Sequence, residues 1–329
     1  MIVISNKKYL FIAIIIFLGI LTSCSTKDID KSPALNQEKI TIYTTLYVLA
    51  DFAEKIGGDN VEVLNMVPSG VSEHDYEPTA KEIVEVSQGD LFIYNGAGLE
   101  VWVQKVLNNL NETSVKQVNA SEGIAVIYGG HEDYEDHDEL AEDHDSTEEE
   151  EEEAANIDPH VWLNPLNALK QAERIKDALV AVDPSWEEIY EENYFLLEER
   201  LLALDELYRQ ELNEVAKKEF FVSHSAFAYL AEEYGLEEHS ISGIIPGAEP
   251  SPKEMIGFVE EIKELNIKYI LVEPTDEIKI SQVLADQAGA SIEELYAMAS
   301  VSNADIAAGK DYFTLMEANL EVLLKALSE

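Results

Sequence analysis

Residues 185–217 read SWEEIYEENYFLLEERLLALDELYRQELNEVAK, a run that contains neither glycine nor proline. Its apolar positions, Trp186, Ile189, Tyr190, Leu196, Leu197, Leu201, Leu204, Tyr208, Leu212 and Val215, recur mainly three or four apart. That period predicts one helix with a single apolar face. At 1.5 Å per residue it would be about 50 Å long, longer than a lobe of ordinary size is wide. The run is therefore expected to be a rigid strut between two lobes. A coiled coil is the alternative for so long an apolar face, and the irregular heptad argues against it.

On both sides of the strut, short apolar runs alternate with helical patterns. Before it, Ile40–Thr45, Val61–Val67, Leu91–Tyr94 and Val115–Val118 read as strands, and Leu46–Ile56, Pro78–Val86 and Leu99–Leu110 as helices. Asn164 is a suitable N-cap and Pro165 a suitable first residue for another helix. After the strut, Phe220–Val222 and Tyr269–Val272 read as strands. Ala226–Tyr234, Lys253–Leu265, Ile280–Ala288 and Tyr312–Leu327 read as helices, and Ile241–Ile245 leads into a Pro/Gly turn. This rhythm predicts an α/β protein whose two lobes each hold a mainly parallel sheet flanked by helices. The expected boundaries are 40–184 for the first lobe, 185–217 for the linking helix and 218–329 for the second lobe.

The first residues give a cellular address. Lys7 and Lys8 precede an apolar run, Tyr9–Ile20, that ends at Leu21-Thr22-Ser23-Cys24. A dozen apolar residues fit a secretory signal, whereas a bilayer-spanning helix needs about 20. Residues 1–23 are thus expected to be a signal peptide and 24–39, polar and containing Pro33, a flexible tether. Cys24 is the only cysteine, so no intramolecular disulfide is available. Leu-x-Ser-Cys resembles a bacterial lipobox, which implies that Cys24 carries the lipid holding the protein to the outer face of the cell membrane; two acyl chains suffice for stable anchoring.

The chain carries 66 acidic and 22 basic residues, a formal net charge of −44. Such a surface repels nucleic acid and disfavours anionic lipid, leaving cations as natural small partners. Residues 129–156 have no apolar periodicity and include six successive glutamates, Glu148–Glu153. They are predicted to form a disordered loop.

The seven histidines are unevenly placed. His131, His137 and His144 crowd into that acidic loop, and His239 stands apart. His74 in Glu-His-Asp-Tyr-Glu-Pro, His160 in Asp-Pro-His-Val-Trp-Leu-Asn-Pro and His224 in Val-Ser-His-Ser each stand singly. His74 follows a strand and loop, His160 precedes a helix, and His224 ends a strand. In open α/β sheets ligands lie beyond the carboxyl ends of strands. Two facing lobes would bring these imidazoles into one cleft, and neutral imidazole is the commonest ligand for borderline transition metals.

These segments, with Ser-His-Ser-Ala-Phe at 223–227, Glu249-Pro250-Ser251 and the closing Tyr312–Asn319, resemble the zinc and manganese solute-binding lipoproteins of bacterial ABC importers. The resemblance covers nearly everything from Ile40 onward. It implies two α/β lobes joined by a rigid helix, one metal held by His74, His160 and His224 in the inter-lobe cleft, and permease and ATPase subunits as partners of a monomeric binding protein. Manganese-binding relatives place a carboxylate where His224 stands, so Zn²⁺ is the expected cargo and Mn²⁺ the alternative. The acidic loop resembles the metal-collecting His-rich loop of zinc members, which makes His131, His137 and His144 auxiliary ligands. The chain departs from the family at the fourth ligand. Leu295–Ser300, where a carboxylate is often found, has none, leaving Glu73, Glu273, a water or a loop residue. Three histidines with an open position also describe catalytic zinc, with Glu73 as a base. The absence of a His-Glu-x-x-His helix weighs against that enzyme reading.

Overall fold

The first strand, Ile40–Thr44 (β1), turns Ile42 and Thr44 inward. The helix Tyr47–Gly57 (α1) follows, burying Val48, Leu49, Phe52, Ala53 and Ile56 along one face. It stops at Gly57-Gly58, where a Cβ on Gly57 would lie 2.3 Å from a Val61 methyl. Only glycine lets the next strand, Val61–Asn65 (β2), pass so close. The computed structural model describes residues 39–74, 76–128, 157–244, 250–275 and 278–328. The signal segment, Cys24, and the acidic stretch 129–156 with His131, His137 and His144 lie outside the described residues.

Ala80–Val86 (α2), Leu91–Tyr94 (β3), Val103–Leu110 (α3) and Lys116–Asn119 (β4) complete the first sheet, and all pairings are parallel in the order β2-β1-β3-β4. The helix expected over Leu99–Leu110 begins only at Val103. Gly96, Ala97 and Gly98 all have left-handed φ values, of 78°, 51° and 83°. This winding aims Glu100 inward, where its buried carboxylate accepts hydrogen bonds from the Asn95 and Gly96 N–H groups and the Thr45 hydroxyl. The would-be first helical turn is spent on that cage.

Pro165–Val182 (α4) has the expected start: Asn164 Oδ1 accepts from the Leu166 and Asn167 N–H groups, with proline at the first position. The long helix then runs from Glu187 to Asn213 (α5), 27 residues or about 40 Å. It is shorter than predicted at both ends. Pro184–Trp186 forms a 3₁₀ turn. At the far end Lys218 Nζ donates to the Leu212 carbonyl while the Lys217 N–H donates to Leu327, drawing the chain out of the helix. Tyr190, Leu197, Leu201, Leu204, Tyr208 and Leu212 are buried. Helices α1 and α4 cover this face on one side of the molecule. The rest is covered by later helices, Ala228–Tyr234 (α6) and Tyr312–Ser328 (α10). A face occupied by its own chain is not a coiled-coil seam.

The second sheet comprises Glu219–His224 (β5), Glu237–Ser242 (β6), Tyr269–Val272 (β7) and Ser291–Glu294 (β8), again parallel, in the order β6-β5-β7-β8. Pro252–Glu264 (α7) and Lys279–Ala288 (α8) are its crossover helices, and Asn303–Ala307 (α9) precedes α10. The two sheets thus share one topology, with the strand order reversing between β1 and β3 and between β5 and β7. A shared core of Trp162, Tyr190, Tyr208, Tyr312 and aliphatic side chains joins them, and smaller clusters lie around Phe92 and around Phe221.

Candidate metal centre

Each of the three isolated histidines sits where a strand or turn fixes its backbone. β2 delivers the chain to buried Met66 and Val67, Pro68–Val71 makes a turn, and His74 follows. His224 is the last residue of β5, registered against Ser242 of β6. Glu273 directly follows β7. His224 and Glu273 therefore flank the reversal point of the second sheet, where an open α/β sheet forms its ligand crevice. At the corresponding point of the first sheet, Asn95 Nδ2 donates to the Pro159 carbonyl, 2.9 Å away, and so holds the segment carrying His160.

The three imidazoles meet. Their ring centroids are 5.5, 5.6 and 6.3 Å apart, and one ligand atom from each lies within 4.8 Å of the other two. Nitrogens on a zinc tetrahedron of radius roughly 2.0–2.1 Å would be about 3.3 Å apart, so a small contraction completes such a site. The cluster is closed over: His160 and His224 are 0% and 2% exposed, and the His74 side chain 7%. Among the described residues the convergent set is these three. Two carboxylates lie beside it. Glu273 Oε1 is 3.1 Å from His224 Nε2, and Glu73 Oε1 is 3.6 Å from His74 Nε2.

Around the ligand atoms the surroundings are polar where they must be. Asp158 accepts the His160 backbone N–H at 2.9 Å and lies 2.8 Å from its Nδ1. Its own carbonyl accepts from the Tyr229 hydroxyl. Burial pushes the Asp158 carboxyl up to about 7, against the His160 N–H, which lowers it. Burial, then the nearby His224, push His160 well below its ordinary 6.5. Neither charge is favoured without the other. A cation at Nε2 would select the form with the ring proton on Nδ1 and the carboxylate ionised. Nε2 of His160 is buried and meets no hydrogen-bond partner among the described residues. Beyond His224, Glu238 accepts the Ala226 and Phe227 N–H groups at 3.0 Å each. Trp162 packs edge-on against the His160 ring.

The structure brings together the three histidines expected from the sequence and sets both candidate carboxylates beside them, while the sequence assigns Asp158 and Glu238 no role. For Asp158 the signal was available in the Asp-x-His spacing. For Glu238 there was none, because it stands on a polar strand that the apolar pattern does not reveal.

Two parallel α/β sheets sharing a core, with a buried histidine cluster at their strand ends, define the two-lobed class of solute-binding proteins. The chain matches the family described as zinc-uptake complex component A, periplasmic, over residues 42–326, and belongs to it. It is 35% identical over 285 residues to the zinc-binding lipoprotein AdcA of Streptococcus pneumoniae serotype 4, covering 87% of this chain and 55% of AdcA. The chain thus spans about half the length of that relative. To the high-affinity zinc uptake system protein ZnuA of Bacillus subtilis it is 34% identical over 323 residues, covering 98% of both. The crystal structure of the Zn(II)-bound ZnuA-like domain of S. pneumoniae AdcA superposes with a TM-score of 0.73 at 32% identity, over 88% of this chain and all of that one. A laminin-binding protein of Streptococcus agalactiae, described as having adhesin and metal-transporting activity, gives 0.74 at 27% identity over 88% of this chain and 99% of its own. The family is a solute-binding component of transporters and not an enzyme, which sets the hydrolase alternative aside.

Proposed function

We propose that this chain is the extracytoplasmic zinc-capturing component of an ABC importer, binding one Zn²⁺ through His74, His160 and His224 and passing it to permease and ATPase subunits. The observation that carries this reading is the convergence of three imidazoles from three separate elements. Three nitrogen donors favour zinc over manganese, which prefers carboxylate and water. Glu273 is the fourth ligand in this proposal, because its oxygen already stands from His224 at close to a tetrahedral edge and it comes from a strand end. Glu73 remains a polar neighbour of His74. Cys24 carries the lipid anchor, the binding protein acts as a monomer, and His131, His137 and His144 collect zinc weakly near the site. Calorimetry with Zn²⁺ on the wild type and on His74→Ala, His160→Ala, His224→Ala and Glu273→Gln tests the ligand set. Each histidine variant should lose the tight site. Wild-type affinity in any one of them overturns the proposal for that residue.

A further inference from the structure

The segment that follows β8, Leu295–Val301, has no charged side chain, yet it is bonded to nearly every part that carries a ligand. The Leu295 N–H donates to Val272, next to Glu273. Tyr296 is clamped by Asn319 at both its N–H and its carbonyl. The Ala297 carbonyl accepts from Trp162 Nε1, two residues from His160, and the Ala299 carbonyl from the Tyr47 N–H at the start of α1. The Gly70 N–H then donates to Ser300 Oγ at 2.9 Å, and the Ser69 hydroxyl donates to the Val301 carbonyl at 2.5 Å. At the centre of the segment Met298, fully buried, has φ of 64°. A non-glycine residue keeps that conformation only where its surroundings over-determine it.

We propose that Leu295–Val301 is a positioning strap, and that the Ser69–Val301 and Gly70–Ser300 clasp holds the loop bearing His74 in the geometry the cation requires. Ser300 is then a positioning residue that touches no metal. The inference rests on the three-histidine reading for its effect on zinc, but the clasp acts on His74 whether or not zinc is the cargo. With the hydroxyl removed, the Gly70 N–H loses its acceptor and only the Ser69–Val301 bond is left of the clasp.

The test uses the intact protein and Zn²⁺ alone, with Ser300→Ala, Ser300→Thr and Ser69→Ala. Release of zinc into excess chelator should be about fivefold faster in S300A, the factor that one ordinary hydrogen bond supplies. Threonine, which keeps the hydroxyl, should restore the wild-type rate. In the metal-free protein, NMR of ring-labelled histidines should show the His74 signals of S300A broadened or shifted and those of His224 unchanged. If S300A does not fold, S69A breaks the other half of the clasp and must give the same pattern. Wild-type release and an unchanged His74 signal overturn the inference. So does equal acceleration by Ala and Thr, which would mark a packing effect. A wild type that takes up no zinc refutes the site reading, while the His74 signal still decides the clasp.

Discussion

Removing the Asp158 carboxylate should weaken zinc binding although Asp158 is not itself placed among the metal ligands. Its oxygen meets both the His160 N–H and Nδ1, at 2.9 and 2.8 Å, in a site where His160 is fully buried. Two effects end together when it is lost: the ring orientation that aims Nε2 at the other imidazoles, and the negative charge that makes the imidazole a better donor. Loss of such an outer partner lowers metal affinity about 10–100-fold, roughly 1.4–2.8 kcal/mol. The two obvious replacements separate the effects. Asp158→Asn retains an oxygen that accepts from Nδ1–H and loses only the charge, so it belongs near the tenfold end. Asp158→Ala loses both and belongs near the hundredfold end. Competition against a chromophoric chelator at pH 7.5 measures either. An affinity within twofold of wild type for the alanine variant, with the fold intact by circular dichroism, would refute the reasoning.

The same pair governs pH dependence in the metal-free protein. Asp158 is pushed from 3.8 up to about 7, so the folded protein holds a proton there that the unfolded chain has released, and this contribution grows as pH falls from 7 towards 4. His160 is pushed below 6.5, so its contribution is present above that value and is lost as pH falls through it. The two slopes oppose one another. In Asp158→Asn only the second remains, and its urea midpoint should fall relative to wild type between pH 7 and 5; a constant offset would contradict the assignment. His224→Asp, by exchanging nitrogen for harder oxygen, should lower zinc affinity at least about tenfold and raise the Mn²⁺/Zn²⁺ affinity ratio, read by competition titration. An unchanged ratio would mean that His224 does not set selectivity. Leu201→Ala on α5, at a fully buried position, should cost about 2–5 kcal/mol in chemical denaturation, and a loss below 1 would show that this face is not part of the joint core.

Where an element buries an apolar face, the sequence announced it. α1, β3, β7 and α10 lie within a residue or two of their expected places because their interior positions carry long aliphatic and aromatic side chains. The strands β6 and β8, Glu237–Ser242 and Ser291–Glu294, gave no such sign. Both are edge strands of polar composition, paired on one side only. Their place is set by backbone register to a neighbour, which local pattern does not encode. The missing first turn of α3 has a different cause: Glu100 is called inward by the nearby Asn95 and Gly96 N–H groups and by the Thr45 hydroxyl, 55 residues away, a cage that apolar periodicity does not register. For the site, the histidines were legible because each stands in a short segment bounded by turns or strand ends. The clasp between residues 69–70 and 300–301 joins positions more than 200 apart and uses ordinary serines, so nothing local distinguishes them.

The final helix carries a consequence for biogenesis. Tyr312 stacks edge-on against Phe52 of α1, donates its N–H to Asp51 and its hydroxyl to the Trp162 carbonyl. A side chain 260 residues further along the chain therefore plugs the core that α1 begins. Domains ordinarily fold as units, and a core that includes Tyr312 is complete only once residue 312 is present. A chain stopped before Tyr312 should remain protease-sensitive throughout, including the region of the first sheet.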